Sequence, residues 1–134
     1  MTSLAKANLV LFALLTAHTV DHAVNQPSRD LPATGSVLGI AGFVIVATSA
    51  MLALRRSPAA PAAAVFAGVA TTIGFLAIHL LPAWSEPISD PYWDFAANAA
   101  SWALLIAPLA AAIALAVIGM RRLDRPAAGT LSRG

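Results

Sequence analysis

LAKANLVLFALLTAHTVDHAV, residues 4–24, is the stretch whose reading decides the fold. Its apolar part, Ala7 to Ala17, falls short of the roughly 20 residues a helix needs to cross a bilayer. Taken through Val24, the run reaches about 30 Å at about 1.5 Å per residue. It crosses only if His18, Asp21 and His22 turn inward, away from lipid. A Lys6 followed by an apolar run also suggests a cleaved signal peptide. Leu15 or Asp21, however, occupies the position three before the best cuts, where a small residue is needed, so the run reads as a retained helix.

Composition points the same way. The chain has 134 residues, 59% hydrophobic and 10% charged, which sets it outside the soluble globular range and within one domain. Zero cysteines exclude disulfides, thiolate metal sites, iron–sulfur clusters and a cysteine nucleophile, so a metal here takes imidazole, carboxylate or water ligands.

The net charge of +2 hides a sorting. Lys6, Arg55, Arg56, Arg121, Arg122, Arg125 and Arg133 flank the apolar runs on one side, and only Arg29 lies in the other set of loops. Asp21, Asp30, Glu86, Asp90 and Asp94 fall in or beside those other loops, leaving Asp124 on the basic side. The positive-inside rule then predicts a multi-pass protein of the cell membrane with both termini cytoplasmic. The basic residues are short helix flanks without interleaved aromatics, which argues against nucleic-acid binding.

Three more runs follow. The second covers about 36–54 and stops at Arg55-Arg56. The third, about 62–81, is ended by Pro82. The fourth is expected over about 91–120, because Asp90 can cap, Pro91 suits the first helical position and Asp94 adds charge to the first turn. Pro108 should kink it. Residues 124–134 read as a flexible cytoplasmic tail. Trp84, Tyr92, Trp93, Phe95 and Trp102 gather at one face as interfacial anchors. The expected architecture is an all-α, four-transmembrane-helix bundle over residues 1–123.

Alternating steps of three and four give each helix an inner stripe. These are Leu4, Asn8, Leu11, Leu15, His18, His22 and Asn25; Gly35, Gly39, Gly42, Val46, Ser49 and Ala53; Val65, Gly68, Thr72, Phe75 and His79; and Asp94, Asn98, Ser101, Leu105, Pro108, Ala112, Leu115 and Gly119. Most intramembrane polar residues and glycines fall on them. By axial rise, His22, His79, Asn98 and Ser101 reach about the same depth, roughly 24–33 Å from the basic end. Asp94, Glu86 and Asp90 then form a mouth above them.

Histidines at i and i+4 can grip one ion from one helical face, and His79 offers a third nitrogen. The candidate divalent-metal ligands, for zinc or iron, are His18, Asp21, His22 and His79, with Asp21 or Asp94 ligating or orienting a histidine. His18-x-x-Asp21-His22 loosely resembles the inverted zinc-protease motif His-x-x-Glu-His. Its aspartate is one methylene shorter than the glutamate that would act as base, and no second glutamate motif follows.

The same residues admit other readings: a haem held by His79 and His18 or His22, an outward-facing pH-responsive site or proton relay, or polar packing alone in an accessory subunit of a larger complex. A membrane-protein partner or a homo-oligomer is the expected association. No Gly-x-Ser-x-Gly elbow surrounds Ser101 and no phosphate-binding loop is present, so no catalytic residue is assigned.

Overall fold

The computed structural model describes residues 1–25, 33–85, 88–94 and 96–124, with the backbone alone at 33–36. Arg29, Asp30, Glu86, Pro87, Phe95 and the expected tail from 125 onward lie outside the described residues. All regular structure among the described residues is helical: α1 (Ser3–Asn25), α2 (Ala33–Leu54), α3 (Ala60–Phe75), continued by a π turn (Leu76–Leu80), and α4 (Ala99–Leu123). All four helices are long and apolar enough to cross a membrane.

The helices run up and down in a ring. α1 packs on α2 and α4, α3 packs on α2 and α4, α1 touches α3 only slightly across the diagonal, and α2 and α4 do not meet among the described residues. The Arg122 guanidinium donates to Ser3 Oγ at 2.7 Å, joining the start of α1 to the end of α4. Lys6, Arg55, Arg56, Arg121 and Arg122 therefore share one end of the bundle, and Asp21, Asp90 and Asp94 lie towards the other.

The turn between α2 and α3 is fixed by backbone geometry. Arg56 sits at φ 54°, in the left-handed region, and closes α2 with bonds from Arg56 N–H to Ala53 O (3.2 Å) and Ser57 N–H to Leu52 O (2.9 Å). This pair of bonds is a Schellman cap. Pro61 then opens α3, where its missing N–H costs nothing.

The interior carries the polar groups. α1 buries Leu4, Ala5, Asn8, Leu11, Leu15, His18 and Asp21, and α4 buries Ser101, Leu105, Pro108, Ala112, Leu115, Ala116 and Gly119. Val10, Val20, Val37, Ile40, Val44, Phe66, Ile73, Ile106 and Ile113 are exposed around the outside. The closest approach is α3 on α4. A Cβ on Gly68 would stand 2.5 Å from Ala112 O, and one on Gly119 would stand 2.8 Å from Pro61 O.

Two local expectations are corrected. Gly39 and Gly42, read as close-packing positions of α2, have nothing within 4 Å of a Cβ. α2 instead packs through Val46, Ser49, Ala50 and Ala53, near its basic end. The second correction is the start of α4, which lies at Ala99 and not at 91. Asn98 is its cap, with Oδ1 accepting from Ser101 N–H at 2.9 Å.

The segment before α4 has another task, because the last four carbonyls of a helix have no helical donors. The π turn's own last bond runs from Leu81 N–H to Leu76 O (2.9 Å); beyond it, Ala77 O accepts from Trp84 Nε1–H (2.6 Å), Ile78 O from Asp90 N–H (2.7 Å) and His79 O from Tyr92 N–H (3.0 Å). Residues 81–85 and 88–92 thus fold over the end of the π turn. A helix starting at Pro91 would pull Asp90 and Tyr92 away from it.

Candidate metal centre

Three histidines converge at the acidic end. His18 and His22 come from one face of α1, one helical turn apart, and their rings meet edge to face at 4.6 Å between centroids. His79 comes from the π turn, with its centroid 5.2 Å from His18 and 5.5 Å from His22. One ligand nitrogen from each lies within 4.8 Å of the other two. Tetrahedral nitrogens about 2.0–2.1 Å from a zinc ion stand roughly 3.3 Å apart. The three nitrogens draw closer than 4.8 Å for one ion to take them all.

The π turn is what aims His79. Such turns hold one residue more than an α turn and shift the helical face presented beyond them. Its N–H groups bond five residues back, as Leu81 N–H to Leu76 O records. His79 Nδ1 lies 3.2 Å from the Asp90 carbonyl oxygen. Because a carbonyl only accepts, Nδ1 carries the proton and Nε2 holds the lone pair. A metal-ligating histidine is commonly held by such a bond from its other nitrogen.

His18 is oriented from α4. Proline has no N–H, so Pro108 leaves the carbonyl of Leu104, one turn earlier, without its helical donor. The Leu104 backbone instead faces the His18 ring as an acceptor. The Nδ1 of His18 is buried with no hydrogen-bond partner. A lone pair in that state costs free energy unless a proton donor or a metal meets it.

Aromatic rings wall the cluster. Tyr92, 1% exposed, has its ring centre 5.3 Å from His79, 6.0 Å from His22 and 6.3 Å from His18. Phe75 lies below His18 at 4.8 Å, and Trp102 backs Tyr92 at 5.5 Å. His18 and His79 are buried while His22 is half-buried, which marks the accessible side.

The remaining expected site residues divide. Asp21 is buried, but its Oδ1 accepts from Ser101 Oγ–H at 3.1 Å and from the Asn25 amide. It stands outside the converging nitrogens. Ser101 is thereby tied to α1. Asp90 is buried and meets His79 through its backbone carbonyl. Asp94 and Asn98 are exposed, and Asn98 is spent on its cap, so neither lines a pocket with the histidines.

Sequence reasoning missed Tyr92, which it grouped with the interfacial aromatics, and it missed the π turn. Nothing periodic marks a loop residue such as Tyr92. The Leu104 carbonyl was findable from Pro108, since the residue four before an intrahelical proline is always deprived of its donor.

The chain matches no protein-family model, no curated protein and no solved structure.

Proposed function

We propose that the protein is a four-span integral membrane protein whose histidine centre, near the outer face, binds a divalent metal such as zinc or iron. The observation that carries the metal reading is the convergence of three imidazole nitrogens within 4.8 Å, from two helices far apart in sequence. Imidazole sets of this kind suit zinc, copper, iron or nickel over magnesium or calcium. Membrane insertion is supported by the inverted polarity of the bundle. Asn8, His18, Asp21, Ser49, His79 and Ser101 are buried while valines and isoleucines cover the outside. In water that surface would aggregate; in lipid it costs nothing. The basic end then faces the cytoplasm together with both termini. The plasma membrane is the expected site, and association with a partner membrane protein or a second copy is part of the same reading.

Haem is disfavoured by the packing. The three rings lie 4.6 to 5.5 Å apart with Tyr92 and Phe75 against them, and a macrocycle between two of them would displace the rest. A proton path through the bundle is disfavoured too, because between His18 and Asn8 the buried residues of α1 are Leu15 and Leu11.

Elemental analysis of the full chain purified in detergent tests the metal reading. One zinc, iron or copper per chain, lost in a His22→Ala, His79→Ala double variant, supports it. Absence of metal after zinc or iron supplementation, with the same substitutions only lowering the melting temperature, leaves polar packing in an accessory subunit as the function of the cluster. Orientation is tested separately, since the chain lacks cysteine. An impermeant thiol reagent applied to cells should label Ala83→Cys and spare Ser57→Cys.

A further inference from the structure

We infer that the histidine centre holds its metal by three protein nitrogens and keeps one coordination position for an exchangeable small molecule with an oxygen or nitrogen donor, entering past His22. This rests on the metal reading and adds to it the class of ligand.

The donor count comes first. Among the described residues, His18, His22 and His79 form the converging group, and no carboxylate joins it. Asp21 directs Oδ1 to Ser101 and Asn25, and Asp90 reaches the centre through its backbone carbonyl on His79 Nδ1. Tyr92 stacks on His18 at an interplanar angle of 22° and meets the other two histidines edge on, which makes it a wall of the site. Structural zinc sites close with four protein ligands, whereas sites that perform chemistry or bind ligands keep three and an open position.

Charge balance points to the same class. Neutral imidazoles leave the two positive charges of the ion uncompensated, and an uncompensated ion in a buried site is costly. Asp21 and Asp90 are the buried acids nearby, at 2% and 8% exposure. Neither brings a carboxylate oxygen into the converging group, so among the described residues the donors to the ion are imidazoles alone. With three protein nitrogens in the group, the fourth position takes water or another small donor from outside. Access follows from exposure: His22 is half-buried, while Phe75, below His18, and Tyr92 close other sides. An ion so held polarises whatever oxygen it binds.

The test is cobalt(II) substitution of the full chain in detergent, read by its d–d absorption, with azide as the probe. The expected result is an intense spectrum of a four-coordinate ion, one cobalt per chain, whose bands shift saturably with azide at one azide per cobalt. Tyr92→Phe should keep both the spectrum and the azide response. An intense spectrum that azide does not move, or one that collapses in Tyr92→Phe, overturns the open position while leaving the metal reading intact. A weak six-coordinate spectrum overturns the three-nitrogen count. Failure of cobalt and of zinc to bind at all overturns both.

Discussion

Replacing Pro108 with alanine should separate metal affinity from stability. Pro108 is fully buried in α4 and deprives Leu104 O of its helical donor, and His18 uses that carbonyl. Alanine restores the N–H at position 108, and the helix reclaims the acceptor. On the stability side, proline in a helix interior is about 3 kcal/mol less favourable than alanine. Against that, losing the buried ring atoms costs about 2 kcal/mol in burial and cavity, and His18 loses a hydrogen bond worth about 1 kcal/mol. These nearly cancel, so stability should stay within about 1 kcal/mol of the parent. Metal affinity has no such compensation. Loss of a bond that orients a ligating histidine typically costs 10- to 100-fold, or about 1.4–2.7 kcal/mol. Zinc titration and thermal unfolding of the metal-free protein in the same detergent measure the two quantities. Unchanged zinc affinity in Pro108→Ala would falsify the claim that Leu104 positions His18.

Three further outcomes follow from the packing. Gly68→Ala should destabilise by about 1–3 kcal/mol, because its Cβ meets α4 backbone at 2.5 Å, whereas Gly39→Ala, in open space, should not destabilise; equal melting temperatures for the two would contradict the α3–α4 contact. Arg56→Gly should stabilise by about 1 kcal/mol, since glycine adopts φ 54° without the penalty arginine bears; chemical unfolding reads this, and a loss of stability refutes it. Asn98→Ala should cost about 1 kcal/mol through the lost cap on Ser101 N–H and leave zinc affinity unchanged, as an exposed residue away from the histidines must; a tenfold drop in affinity would return Asn98 to the site.

Much of this arrangement is legible in the residues because helical periodicity is regular. Leu4, Asn8, Leu11, Leu15 and His18 in α1, and Ser101, Leu105, Pro108, Ala112, Leu115 and Gly119 in α4, fall on steps of three and four and are buried. Where the backbone leaves the regular α-helix, that arithmetic stops working. It carried α4 back through Asn98 to Asp94, where Asp94 N–H instead closes a turn onto Pro91 O, just after Asp90 and Tyr92 have given their N–H groups to the carbonyls of Ile78 and His79. It credited Gly39 and Gly42 with a neighbour, although small size records only that close approach is permitted. His79 lies beside His22, as axial rise alone gives, whereas Tyr92, whose place in the sequence reads as peripheral, is held by a loop and buried beside the three histidines.

The wide turn at Leu76–Leu80 has a bearing on how this chain tolerates change in length. Below Phe75 the azimuth of α3 is dictated by its seam with α4 at Gly68; above it, the azimuth is dictated by where His79 must point. One surplus residue reconciles those two demands. Deleting Ala77 would tighten the winding and swing the imidazole around the cylinder while the lower seam stayed in register, so a single codon separates an intact scaffold from an assembled triad.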